Sequence, residues 1–404
     1  MKNNNHPRVP SGWLYTVAIF VIGTFLRLRY RIKVDNEKIK GMKGPFLVLS
    51  NHQSNYDFAV TALAMWPLKM NYLVSTYFMN SRLLGFFLKK VGAIPKTQFI
   101  PDSLAIINAY RAVVNNQSVI IFPEGQVGFF GASVGIDKSI AKLIKRFRVT
   151  VLNVKLRGGY LTNSKWSKKH YPARIEANCD LLLTKEQVLS MTEDEIYQSV
   201  IDGLTYNDFE WQREKMIPSK KKRMTEGLQN ILFMCPKCKK EFAMTSSKDK
   251  LCCDSCGYQV RLNRYGFFEA DEGETVIYDN AVDWYKMQQE IIREKVENNI
   301  LPFTTNCNLM STDKKKLGYF MRGKGKLTVD RNGLFYEGTR DNEPYTQLFS
   351  IKTQSALANS CDVWGIDFIG EDCNYAFCPD DPRKMLMIVE IYAVLREEYE
   401  SNML

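Results

Sequence analysis

The chain has 404 residues, a formal net charge of +11 and a pI near 9.0, and its length allows two or three domains, each with its own core. At 45% hydrophobic and 25% charged residues the composition is that of a folded protein, and ten unevenly spaced cysteines exclude a disulfide scaffold of this size. The positive balance favours an anionic partner, lipid headgroups or nucleic acid.

Residues 1–34 open with an apolar run, Trp13 to Leu26, of fourteen residues. A spanning helix needs roughly 20 apolar residues, so this one is short. Lys2 and Arg8 precede it as in a signal peptide, but no small-residue cleavage site follows. Arg27, Arg29, Arg31 and Lys33 then alternate with Leu28, Tyr30, Ile32 and Val34, which predicts a strand with one cationic face. An apolar helix followed by cationic residues fits a monotopic anchor on the anionic cytoplasmic face of a membrane. The competing reading is a buried first helix and an edge strand.

Residues 35–217 alternate strands and helices. Pro45 to Ser50 is a buried strand, and Asn51-His52-Gln53-Ser54-Asn55-Tyr56-Asp57 follows at its C-terminal mouth, where open α/β sheets keep their chemistry. The chain has three histidines (His6, His52, His170), so few side chains can serve as a base near neutral pH. An imidazole at His52 can take a proton from an attacking hydroxyl, and a carboxylate at Asp57 can orient that ring. Alone, the His-x4-Asp spacing also fits a loop histidine and a helix-capping aspartate. Helices are predicted over Phe58 to Trp66, Ser81 to Lys90, from Ser103, over Asp137 to Phe147 and over Thr192 to Leu204. Strands are predicted at Tyr72 to Val74, Gly92 to Pro95, Ser118 to Phe122 and Val149 to Leu156. No serine or cysteine in a strained nucleophile elbow is evident, which favours direct transfer over a covalent intermediate.

Residues 218–230, with Lys220-Lys221-Lys222-Arg223, form a basic linker. In residues 231–262, Cys235-Pro236-Lys237-Cys238 and Cys253-Asp254-Ser255-Cys256 are two Cys-x2-Cys knuckles separated by fourteen residues. That spacing predicts a structural Zn2+ site and a reducing, cytosolic setting. Gly257 supplies the tight knuckle turn, and Cys252 is an adjacent spare thiol. Lys237, Lys239, Lys240, Lys248 and Lys250 could face nucleic-acid phosphates, but a solvated surface is the favoured reading.

Residues 263–404 carry a helix around Val282 to Val296 and strands at Lys326 to Val329, Leu334 to Glu337, Gln347 to Lys352, Ile366 to Ile369 and Tyr375 to Cys378. Asp330-Arg331-Asn332-Gly333 is a hairpin turn, and Asp381-Pro382 opens a last helix through Arg396. Several strands closed by one helix predict a PH-like barrel. Lys314 to Lys316, Arg322, Lys324 and Lys326 could meet acidic headgroups, while Cys361, Cys373 and Cys378 read as free buried thiols.

Four blocks, in order, resemble the lysophosphatidic acid acyltransferase-like family of glycerolipid acyltransferases. They are Asn51 to Asp57, Gly92-Ala93-Ile94-Pro95-Lys96, Phe122-Pro123-Glu124-Gly125 and Val151 to Gly158. The likeness runs over roughly residues 11–205, and the 231–262 module resembles a zinc ribbon. The family resemblance implies His52 as catalytic base, Asp57 as its partner, and Asn51, Lys96, Glu124, Gly125 and Arg157 on the substrate side. It also implies an acyl thioester, acyl-CoA or acyl-ACP, as co-substrate. Two departures stand out: Gln98 ends the second block, and Gln126-Val127-Gly128 continues the third, where the family has arginines that hold the acceptor phosphate. Lys96 and Arg157 are the alternative cations, though a point charge does not replace bidentate arginine. An acceptor with a masked phosphate, or a glycolipid, stays open.

The expectation is thus an α/β acyltransferase with a membrane-associated N-terminal helix, a zinc ribbon and a β-rich PH-like domain. It transfers an acyl group to a lysophospholipid such as 1-acylglycerol-3-phosphate, with acyl carrier protein as one candidate partner and nucleic acid disfavoured. The alternative is a non-catalytic lipid-binding adaptor whose ribbon recruits a protein or nucleic-acid partner.

Overall fold

The computed structural model describes residues 9–79, 82–97, 102–270, 275–312, 318–360, 364–369 and 374–402. His6, Gln98, Lys314 to Lys316, Cys361 and Cys373 lie outside these. The chain divides into two compact units, one of residues 1–96 and 102–222, the other of residues 97–101 and 223–404.

The first unit opens with α1 (Gly12–Arg29), β1 (Arg31–Asp35), β2 (Phe46–Ser50) and α2 (Asp57–Ala64). Next come β3 (Met70–Ser75), α3 (Thr76–Met79), α4 (Arg82–Lys90), β4 (Ile94–Lys96), α5 (Ser103–Val114) and β5 (Ser118–Ile121). It continues through α6 (Ser139–Phe147), β6 (Thr150–Arg157), α7 (Gly159–Thr162) and β7 (Arg174–Leu183). It closes with α8 (Lys185–Ser190), α9 (Glu193–Leu204) and α10 (Asp208–Lys215). Seven strands form one sheet in the order β1-β7-β6-β2-β5-β3-β4. Strands β6, β2, β5, β3 and β4 run parallel, and β7 and β1 run against them.

Central β2 is buried on both faces, which is why it reads as a continuous apolar run. Leu47, Leu49, Val119 and Val151 pack under α5, α6 and α9 on one face. Phe46, Val48, Leu152 and Val154 pack under α1 and α2 on the other. Helix ends are placed by local chemistry: Asp102 caps α5, and capping boxes Thr184/Gln187 and Thr192/Glu195 start α8 and α9.

The first expectation to be corrected is the alternating stretch after Leu26. Arg27 and Arg29 lie in the last turn of α1, not in a strand. Leu26 and Tyr30 are both fully buried, and the Tyr30 N–H donates to the Leu26 carbonyl at 2.7 Å, so helical spacing overrides the alternation. Helix α1 is long and apolar enough to cross a membrane. It buries Tyr15, Gly23 and Leu26 and exposes Trp13, Phe20 and Leu28 at 72–78%. The α6 helix starts two residues later than expected.

In the second unit β8 (Met244–Ser247), β9 (Lys250–Cys253), β10 (Gln259–Leu262) and β11 (Phe268–Ala270) form an antiparallel four-stranded sheet. Helix α11 (Ala281–Glu297) follows, then β12 (Phe303–Thr312), β13 (Tyr319–Asp330), β14 (Gly333–Arg340) and β15 (Glu343–Ser350). The last elements are β16 (Ala358–Asn359), β17 (Ile366–Ile369), β18 (Asn374–Pro379) and α12 (Lys384–Ser401). These seven strands make a second sheet, β15-β14-β13-β12-β18-β17-β16. The hairpin at Asp330 to Gly333 forms as read, with Asp330 paired to Gly333. The final helix begins at Lys384 rather than Pro382. Asp381 accepts from the Arg383 N–H and grips its guanidinium instead of capping at the proline.

Candidate active site

His52 sits past the C-terminal end of β2, and Asp57 opens α2. The His52 Nδ1 lies 3.0 Å from Asp57 Oδ2. Asp57 is fully buried and held from four sides: its Oδ2 also accepts the N–H groups of Gln53 and Ser54, at 2.5 and 2.8 Å, and its Oδ1 accepts the Ser54 hydroxyl at 2.5 Å. A carboxylate so fixed cannot turn away from the ring. We assign the Nδ1 proton to this bond, which leaves Nε2 as the imidazole's free lone pair. The ring stacks on Phe122 at 4.5 Å between centroids, and the side chain is 20% exposed, open enough to meet a substrate.

Glu124, past the end of β5, lies against the same loop. Its Oε1 accepts the His52 N–H at 3.2 Å and its Oε2 faces Gln53 Nε2 at 3.1 Å. Burial pushes the Glu124 carboxyl up to about 8, against the opposing hydrogen bonds from His52 and Val134, with nearby Asp57 adding to the rise. Gln53 Oε1 is buried without a partner. A neutral Glu124 can give its proton to Gln53 only through the amide oxygen, so we assign that amide turned over, with Oε1 facing Glu124 Oε2. The Gly128 N–H donates to the His52 carbonyl at 2.9 Å, and a Cβ there would come within 2.8 Å of Gln53 Oε1. Gly125, at φ +73°, would meet nothing with a Cβ, so the backbone directly after Glu124 lies open.

A third wall is the turn after β6, where the fourth matching block ends at Gly158. Gly158 has φ +78°, and a Cβ there would lie 2.3 Å from the Arg174 carbonyl oxygen. Gly159 stands close enough that its Cβ would touch Asp57 Oδ1 at 3.3 Å. Buried Asp208 fastens this turn by accepting the N–H groups of Gly158 and Leu161 at 2.5 and 3.2 Å, together with the Tyr206 hydroxyl. Its own N–H donates to the Gly131 carbonyl at 2.7 Å, on the loop that follows Glu124. Burial lifts the Asp208 carboxyl to about 7. Gly158→Ala is therefore expected to lose about 3 kcal/mol of stability or more, from left-handed backbone and backbone overlap. Chemical denaturation measures it, and a loss below about 1 kcal/mol would show that the turn can relax.

Not every predicted residue joins this site. Asn51 is fully buried and its amide is spent on β6: Nδ2 donates to the Leu156 carbonyl at 2.9 Å and Oδ1 accepts the Leu156 N–H at 2.7 Å. Arg157 turns to Asn178 of β7. Lys96 ends the edge strand β4, three strands from β2 and so about 14 Å away. Burial depresses its ammonium, with Asp102 opposing.

A second cluster gathers Cys235, Cys238, Cys253 and Cys256, whose sulfur atoms all lie within 4.8 Å. Two of the pairs are 3.6 and 3.8 Å apart. Tetrahedral thiolates around zinc, with bonds of about 2.3 Å, stand about 3.8 Å from one another, so the set fits a metal ion. Both knuckles close alike: the Lys239 N–H donates to the Cys235 carbonyl and the Gly257 N–H to the Cys253 carbonyl, each at 3.0 Å and each residue with positive φ.

An imidazole–carboxylate pair thus stands at the mouth of a mostly parallel sheet, flanked by a buried acid and glycine turns. Residues 31–157 match the family model described as acyltransferase, and the likeness is to lysophosphatidic acid acyltransferase-like proteins. A 1-acyl-sn-glycerol-3-phosphate acyltransferase of Bacillus subtilis (strain 168) is 23% identical over 112 residues, 28% of this chain. The match spans 56% of that relative's length. Among solved structures, the crystal structure of the 1-acyl-sn-glycerophosphate (LPA) acyltransferase PlsC from Thermotoga maritima is similar over 50% of this chain and 79% of that one, at 17% identity and a TM-score of 0.42.

Proposed function

We propose that the protein transfers a fatty acyl group from an acyl thioester, carried by coenzyme A or acyl carrier protein, to the free hydroxyl of a lysophospholipid such as 1-acylglycerol-3-phosphate. The observation that carries this reading is the His52–Asp57 pair, 3.0 Å apart, with the Asp57 carboxylate locked by the Gln53 and Ser54 N–H groups. His52 Nε2 takes the hydroxyl proton as that oxygen bonds to the thioester carbon. The C–S bond breaks, and the proton passes to the departing sulfur, giving one ester and one thiol. The step from thioester to ester runs downhill, so positioning matters most, and a near-attack pose is worth about 7–11 kcal/mol. Glu124 and Gly125 border the acceptor side, with Asn51 acting through the clamp on Leu156. Lys96 and Arg157 would reach substrate only at the margin of the site.

The assay is product formation over a panel of lysophospholipids with both donor types. Phosphatidic acid from lysophosphatidic acid is expected. No turnover with any pair would leave the lipid-binding adaptor as the better reading.

The apolar outer face of α1 supports membrane association at the cytoplasmic leaflet, where the exposed Arg27 would meet anionic headgroups. Because Leu26 fills the core, deleting the helix would damage the fold. Replacing Trp13, Phe20 and Leu28 together with glutamine is the cleaner test. The variant should stay folded yet leave the membrane pellet, whereas continued sedimentation would count against the anchor.

Zinc is the proposed occupant of the cysteine cluster, with a structural role. Chelation should release zinc stoichiometrically and raise amide exchange across residues 231–262 without affecting the acyltransferase sheet. Unchanged exchange would contradict a structural role. A PH-like reading of the C-terminal sheet is supported by its strand order and by α12 following the last strand.

A further inference from the structure

Arg29 and His170 meet beside the catalytic loop with Lys221 on an adjoining segment, and among the described residues no ion pair links any of the three to a carboxylate. Arg29 ends α1, its Nε donating to the Tyr30 hydroxyl at 3.2 Å and its guanidinium lying 5.6 Å from the Tyr30 ring centre. The same hydroxyl is 3.2 Å from His170 Nδ1. With the hydroxyl accepting from Arg29, we assign its proton to Nδ1, which places the ring proton of His170 on Nε2. Lys221 joins them because the Lys220 N–H donates to the Pro172 carbonyl at 2.9 Å, laying the basic segment along residues 170–172. Burial depresses His170, and the charges of Arg29 and Lys221 act on it in the same direction.

The cluster is held in place and lies next to the chemistry. Tyr30 is fully buried, so two of the three groups are anchored to a fixed hydroxyl instead of waving in solvent. The Tyr56 ring stands 5.8 Å from His170 and 5.4 Å from Tyr30, and Tyr56 immediately precedes Asp57. On the other side the Tyr171 N–H donates to the Thr162 carbonyl at 2.9 Å, joining this segment to α7, whose Gly159 borders Asp57. The outward face of α1, which delivers Arg29, is apolar. Arg29 and Lys221 both act on this one ring, and holding two like charges together costs energy unless an anion sits between them.

We propose that Arg29, His170 and Lys221, against the ring of Tyr56, seat a phosphate monoester dianion, the headgroup of the acceptor lipid. This rests on the acyltransferase reading for the acceptor's identity, but the binding test below does not need turnover.

With only three histidines in the chain, ring NMR of histidine-labelled full-length protein resolves His170, assigned by its loss in His170→Gln. Glycerol 3-phosphate and inorganic phosphate should each shift the His170 signal saturably. The Arg29→Gln/Lys221→Gln variant should weaken both by about tenfold or more. In turnover, the same variant should lower the kcat/KM ratio of lysophosphatidate to monoacylglycerol by a similar factor, while Lys168→Gln, an exposed cation outside the cluster, keeps the ratio. No saturable shift, or equal affinity in the double variant, overturns the proposal. So does a His170 response to phosphatidylcholine–phosphatidylglycerol vesicles with none to glycerol 3-phosphate, which would make the cluster a reader of the bilayer surface. Phosphate binding without turnover on any acceptor would leave the site standing and sink the acyltransferase reading alone.

Discussion

Replacing His52 with alanine should lower kcat by about a hundredfold to ten-thousandfold, the usual contribution of a positioned general base. Its effect on KM and on membrane sedimentation should be small, because the ring stacks on Phe122 at the edge of the core and is no part of the exposed apolar face of α1 that carries Trp13 and Phe20. Asp57→Asn should follow it only in part. An amide at that position loses the charge that stabilises the imidazolium, and it disturbs three donors that now converge on the carboxylate, the Gln53 and Ser54 N–H groups and the Ser54 hydroxyl. The double variant should be little worse than His52→Ala alone, since residues acting as one unit are not additive. Multiplying losses would instead place Asp57 in a separate role.

Stability should fall as pH rises between about 4.5 and 8, and Glu124→Gln should flatten that slope. The Glu124 carboxyl gives up its proton at 4.5 when unfolded and only at about 8 in the fold. Over that window the folded state holds a proton that the unfolded chain has released, so each step upward favours unfolding. The full effect is on the order of 5 kcal/mol. Asp208, lifted from 3.8 to about 7, acts in the same direction at lower pH. Glutamine at 124 copies the neutral acid: it can accept the His52 N–H and donate to the turned Gln53 amide. Denaturation curves across this range decide the matter, because wild type and variant losing stability in parallel would mean Glu124 is not the titrating group.

What could be read from the residues was whatever is local. Strands β2 and β5 announce themselves as short apolar runs, and the knuckle cysteines, the Asp330 hairpin and the cap at Asp102 each carry their cause within a few positions. The His52–Asp57 pair is local too, five residues apart. Pairings across the sheet were not legible. Glu124 meets Gln53 from seventy-one positions away, and Asp208 fastens Gly158 from fifty. Lys96 belongs to a matching block yet lies on the edge strand, since block order does not reveal strand order. Strand β7 did carry a period-two signal, with Ile175, Ala177 and Cys179 buried between polar residues, and it went unread. Strand β12 hid better: Thr305 and Ser311 occupy its buried face, so polarity masks the alternation. The alternating arginines after Leu26 misled because a strand pattern over eight residues also suits a helix end whose core contacts are Leu26 and Tyr30.

Acyl transfer through His52 is tested most directly by following thiol release and ester formation together in the purified protein, with lysophosphatidate as acceptor. One thiol should appear for each phosphatidate made, at one rate, and both should collapse in His52→Ala. Thiol release without ester, or ester formed as fast without the imidazole, would contradict the account.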